Sequence, residues 1–132
     1  MLKRLDHIGI VVEDISQVRQ SYESLGLSVS HQQELVTKPV TVAFLPVGDV
    51  ELELLQPTAP GSNIAEFLQE KGAGLHHLCF EVTDLDAALL SLQAAGVKMI
   101  DETPRQGVSG WIAFLDPVST GGILIELMEK DR

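Results

Sequence analysis

Four side chains in this sequence pair metal-binding chemistry with a repeated spacing. His7 lies in Leu5-Asp6-His7-Ile8-Gly9-Ile10-Val11-Val12-Glu13-Asp14-Ile15, and His77 in Leu75-His76-His77-Leu78-Cys79-Phe80-Glu81-Val82-Thr83-Asp84-Leu85. The histidine, the apolar run, the aspartate and the closing aliphatic residue recur seventy residues apart. Glu53 in Glu51-Leu52-Glu53-Leu54-Leu55 is echoed by Glu126 in Ile123-Leu124-Ile125-Glu126-Leu127, seventy-three residues on. Each carboxylate interrupts an apolar alternation. A carboxylate in such a strand needs a partner, a cation or a shifted pKa.

Taken singly, each residue has a plainer explanation. A strand histidine is usually satisfied or exposed, and Glu126 alone suits a structural ion pair. The matched spacing of all four favours a metal site. Two imidazoles and two carboxylates suit a divalent ion such as Co, Mn, Ni or Zn, with little choice among them. His76 has Asp6 as its counterpart and reads as a neighbour of the site or a surface residue. His31, beside Gln32 and Gln33, reads as solvated. Cys79 should face the same way as His77 and be buried as a small apolar group. Met99 and Met128 read as core or pocket lining.

The elements that must position these groups follow from the same repeat. Each half opens with a strand. A helix follows, with Asp14 as N-cap and Gly26 as stop in the first half, and Asp84 and Gly96 in the second. Strands are expected at about 27–35, 40–46 and 50–55, and at about 97–101, 111–115 and 122–128. Turns carrying Pro39, Gly48-Asp49, Pro104 and Gly121-Gly122 separate them. The three extra residues of the second half fit in a loop. A short helix is expected near Ile64–Gln69. The order is βαβββ twice: an α+β chain, 1–132, forming a single domain of two modules, about 1–65 and 70–132.

Composition narrows the function classes. The 132 residues carry 9 basic and 19 acidic side chains, a net charge of −10. That balance argues against nucleic acid, whose phosphates need a basic patch, and against an anionic membrane surface. No apolar run approaches the roughly 20 residues that span a bilayer, and no secretory leader is evident. A single cysteine fits a reducing, cytoplasmic location. There is no phosphate-cradling glycine loop, dinucleotide fingerprint or paired-cysteine zinc motif.

These residues together resemble the vicinal oxygen chelate superfamily, which includes glyoxalase I, extradiol dioxygenases and the bleomycin resistance proteins. The resemblance spans essentially the whole chain. Within it, the text is most similar to the methylmalonyl-CoA epimerase family at Val42–Gly48, Glu53–Pro57, Ile64–Leu68, Gly72–His77 and Ser119–Leu127. The resemblance implies a sheet cupped around a metal held by His7, Glu53, His77 and Glu126. It also implies an isomerase acting on an acyl-CoA. A proton α to a carbonyl would be removed through a metal-stabilised enediolate, with Glu126 and Glu53 as the two bases. A cavity lined by Phe44, Trp111 and Phe114 would exclude water, although Trp111 suits a dimer or core position as well. Homodimers are common in the family. The chain departs from it at Ser109-Gly110-Trp111, Asp116, Val118 and Val42. A glyoxalase I-like lactoylglutathione lyase acting on a thiol adduct is the nearest alternative. A non-catalytic small-molecule binding or resistance protein is the second, and the full ligand set counts against it.

Overall fold

A computed structural model of the chain describes residues 1–35 and 37–130; the last two residues of the 70–132 module lie outside the described residues. Its elements run β1 (Leu2–Val11), α1 (Ile15–Ser24), β2 (His31–Leu35), β3 (Val40–Val47), β4 (Val50–Pro57), α2 (Asn63–Lys71), β5 (Gly74–Val82), α3 (Leu85–Ala94), β6 (Arg105–Gln106), β7 (Trp111–Leu115), a 3₁₀ turn (Pro117–Ser119) and β8 (Leu124–Glu129). Two compact units result. One is His7–His76; the other joins Met1–Asp6 to His77–Arg132. No helix among the described residues is long and apolar enough to cross a membrane.

In the His7–His76 unit the strand order is β2-β3-β4-β1. β1 runs parallel to β4, and the other pairs are antiparallel. The second unit has the order β5-β8-β7-β6, with β5 parallel to β8 and antiparallel pairs beyond. The mixed α+β architecture with a twofold βαβββ plan is therefore present in the pairing as well as in the text.

The repeat reaches single contacts. Asp14 accepts from the Ser16 N–H at 2.9 Å at the start of α1, and Asp84 accepts from the Ala87 N–H at 3.0 Å at the start of α3. The first N–H of each helix is met by a side chain from the unit's last long strand: Ile15 donates to Gln56 Oε1 at 2.8 Å, and Leu85 donates to Glu129 Oε1 at 2.6 Å. Both bonds satisfy a donor that has no partner within its own helix. Gly26 and Gly96, at φ 94° and 87°, end the helical segments where other residues would be strained.

Each unit buries one face of its strands under its own helix. In the first unit Ile15, Val18 and Tyr22 of α1 pack with Val12, Ala43, Leu45 and Leu54. In the second, Leu85, Ala88 and Leu89 of α3 pack with Val82, Ala113, Leu115 and Leu127. Each buried leucine contributes about 1.5–3 kcal/mol of apolar burial. The opposite face differs between units. In the first, Val11, Val40, Val42 and Leu55 are covered by Ile64, Phe67 and Leu68 of α2, whose N-cap is Ser62. In the second, Cys79, Ile112 and Met128 form a smaller cluster with Phe114.

One expectation needs correction, and one open alternative is decided. The strand expected at 97–101 is reduced to a single bridge, Met99 to Leu115. The Phe114 N–H goes to the Asp101 carboxylate at 2.9 Å, so a side chain takes a donor that a ladder would use. Pro104 then offers no N–H, and pairing resumes only at Arg105–Gln106. Trp111 does not face the side of β7 that carries Phe114. It packs on the α3 side, against the core of Leu85, Leu89 and Ala113. The three extra residues of the second half fall in the β7–β8 connection, where Asp116 caps the 3₁₀ turn and Gly121-Gly122 follow at positive φ.

Candidate metal and active site

Strand alternation puts His7, Gly9 and Val11 on one face of β1. In the β1–β4 register Gly9 stands opposite Glu53, and in the β3–β4 register Phe44 does. A glycine adds no side chain beside the carboxylate. The imidazole, 8% exposed, reaches it instead: His7 Nδ1 lies 3.4 Å from Glu53 Oε2.

The second unit repeats this arrangement. Cys79 and Phe114 both stand opposite Glu126. His77 and Glu126 are 9% and 8% exposed, and His77 Nε2 lies 3.4 Å from Glu126 Oε1. The Phe114 ring meets the His77 ring edge-on, with centroids 6.4 Å apart. Cys79 is fully buried, as its position beside His77 required. Each unit thus brings its expected histidine to its expected glutamate. The ring nitrogen nearest the carboxylate differs, Nδ1 in one and Nε2 in the other.

His31 is exposed, yet it is not simply solvated. Its ring stacks on Phe44 at 4.1 Å between centroids and 12° between planes, because β2 places it directly opposite Phe44. His76 meets Phe67 of α2 edge-on at 5.0 Å.

Sequence reasoning passed over two polar arrangements, although Arg105 itself stood out with Lys98 as a local basic patch. Glu81, 7% exposed, is met at 3.5 Å by both Lys3 and Arg4. Asp6 lies 2.7 Å from Arg4 and 2.7 Å from Lys130. Its hydrogen bonds hold both cations above their ordinary pKa values. The alternation His77-Cys79-Glu81 carries the signal for Glu81. The second group is Asp101 with Arg105, whose guanidinium lies over Phe114, 5.4 Å from the ring centroid. That pair is tied to a loop, and no periodicity marks it.

Chemically, the fit of these pairs to a metal ion can be judged within each unit. Two donors about 2.1 Å from one ion lie roughly 3.0–3.4 Å apart at ordinary coordination angles. Both His–Glu separations meet that condition, and both pairs combine donor types that suit a first-row divalent ion.

Residues 6–114 match the Glyoxalase/Bleomycin resistance protein/Dioxygenase superfamily. The chain is 45% identical over 130 residues to an uncharacterised Bacillus subtilis protein, YqjC, covering 97% of this chain and 93% of that one. It is 37% identical over 131 residues to an ethylmalonyl-CoA/methylmalonyl-CoA epimerase of Cereibacter sphaeroides, covering 96% and 98%. Among solved structures, the methylmalonyl-CoA epimerase of Mycobacterium tuberculosis aligns with a TM-score of 0.86 at 33% identity, covering 99% of this chain and 90% of that one. A methylmalonyl-CoA epimerase in complex with methylmalonyl-CoA and NH4+ aligns with a TM-score of 0.85 at 32% identity, covering 99% and 96%.

Proposed function

The chain belongs to the glyoxalase/bleomycin resistance/dioxygenase superfamily, and from that premise we propose that it is a metal-dependent acyl-CoA epimerase acting on methylmalonyl-CoA or a near homologue. The observation that carries this reading is the pair of corresponding His–Glu contacts at 3.4 Å, in which His7, His77 and Glu126 are buried and Glu53 is half-buried. Full-length similarity to epimerases supports the substrate class.

In this reading His7, Glu53, His77 and Glu126 together hold one divalent ion. When bound, the ion would polarise the substrate's thioester and carboxylate oxygens and favour negative charge near them. Glu126 takes the proton from the carbon between those two groups, and Glu53 is the symmetry-related base on the other side. Return of a proton to the opposite face inverts the centre. Phe44 and Phe114, each set opposite one of the glutamates, limit water around the reacting carbon. Trp111 has no part in that lining. The same reading places the protein in a reducing, cytoplasmic compartment, in keeping with a lone buried cysteine, and makes it a homodimer.

The test is an incubation of the purified protein with a single epimer of methylmalonyl-CoA in D₂O, with and without added Co²⁺. Epimerisation with deuterium at the α-carbon is expected. Inert methylmalonyl-CoA alongside turnover of a glutathione hemithioacetal would replace this reading with the glyoxalase I-like lyase.

A further inference from the structure

The face of the second unit that carries His77 and Glu126 also holds a braced cation. Arg105 stands opposite Ile112 in the β6–β7 register, and Ile112 stands opposite Met128. All three therefore share the face of Phe114 and Glu126. Arg105 Nε donates to Asp101 Oδ1 at 3.2 Å. The other oxygen of Asp101 accepts the Phe114 backbone N–H at 2.9 Å, so the brace is fixed to β7 itself. The guanidinium lies over the Phe114 ring, 5.4 Å from its centroid. Among the described residues, its two terminal amino groups have no hydrogen-bond acceptor, and the side chain is 47% exposed.

The repeat makes the position informative. By register its counterpart in the first unit is Gln33, which stands opposite Val42 as Arg105 stands opposite Ile112, and which is exposed and uncharged. Among the described residues the second unit has no helix of its own on that face. It has the cluster of Cys79, Ile112 and Met128, with Phe114 beside it and the guanidinium above Phe114. The two units thus agree in their His–Glu pairs, and this strand position is charged only in the second.

We infer that Arg105 reads the acyl carboxylate of the substrate and so selects dicarboxylic over monocarboxylic acyl thioesters. This rests on the acyl-CoA reading above. A guanidinium held at Nε and supported on one face by an aromatic ring presents its remaining N–H groups as a fixed fork, which matches a carboxylate in a way that a lysine point charge does not. The acyl carboxylate is attached to the reacting carbon. The phosphates of coenzyme A lie at the far end of a long, flexible arm. A cation one aromatic ring away from His77 is placed for the first of these anions.

Binding of malonyl-CoA, propionyl-CoA and free coenzyme A, measured by calorimetry on the wild-type protein and on Arg105→Gln and Arg105→Lys, tests the inference. The wild type should prefer malonyl-CoA to propionyl-CoA by tenfold or more. Arg105→Gln should lose most of that preference with propionyl-CoA unchanged, and Arg105→Lys should recover only part of it. Asp101→Asn, which keeps the cation and removes its brace, should fall between wild type and Arg105→Gln. Equal weakening of all three ligands would assign Arg105 to the coenzyme's phosphates and overturn the inference, as would no weakening at all. A wild type that binds no thioester removes the acyl-CoA reading and this inference together. A wild type that binds both thioesters, with Arg105→Gln unchanged, removes this inference alone.

Discussion

At the scale of single residues, the two His–Glu contacts proposed to hold a metal were legible because alternation and the internal repeat point to the same residues twice. His77→Ala should weaken Co²⁺ binding, followed by the visible absorption of the ion, and activity should fall with it. Glu126→Gln keeps shape and an oxygen donor but removes basicity. Its turnover should fall by about 10²–10⁴, the range for losing a general base, while its Co²⁺ content changes much less. Full α-proton exchange in Glu126→Gln would remove it as the base and leave the metal site standing. An unaltered Co²⁺ affinity in His77→Ala would remove the metal site itself. Trp111 stayed open between cavity and core because Trp111-Ile112-Ala113-Phe114-Leu115 is apolar at every position, so no polar residue marks which face is which. The Asp101–Arg105–Phe114 arrangement was missed for a different reason. It exists only because Asp101 turns back onto the backbone of β7.

At the scale of elements, helix caps and turn glycines were readable in the text, and the structure repeats them down to matching hydrogen bonds. The short β6 was not readable, since a side chain replaced part of the ladder there. Leu89, 2% exposed in α3, sits between that helix and its sheet. Leu89→Ala should cost about 2–5 kcal/mol, the range for cavities left by a buried leucine, and chemical denaturation would measure it. Asp14 offers a pH test. The Ser16 hydroxyl and backbone N–H groups hold its carboxyl below the ordinary carboxylate value. A depressed folded-state pKa stabilises the fold above the unfolded value, about 3.9, and that contribution is lost as pH falls through the lower folded value. The stability gap between wild type and Asp14→Ala should be constant near neutrality and shrink below about pH 4. A gap that widened on acidification would show that the cap acts through some other group.

At the scale of the whole molecule, two properties lie beyond any single unit. One is assembly. Leu25, Leu90, Val108 and Val118 are each at least 70% exposed, and a second copy of the chain would cover apolar surface that one copy leaves in water. Sedimentation should give twice the 14.3 kDa chain mass, and a lone 14.3 kDa species across micromolar concentrations would refute the homodimer. The other property is charge. A chain of net charge −10 repels a polyanionic acyl-CoA at long range, whatever its site offers at short range. The Debye length is about 30 Å at 0.01 M salt and about 8 Å at 0.15 M. At low salt the substrate meets the field of the whole protein. At higher salt only groups close to the site still act on it, and Arg105 is one of them. Added salt should therefore raise kcat/KM severalfold between these conditions, the reverse of what a basic steering surface produces. Arg105→Gln should show the same salt-induced rise from a lower starting value, because the repulsion comes from the summed charge and the selectivity from one fork. A kcat/KM that fell with salt in the wild type would mean that local cations outweigh the acidic surface even at long range.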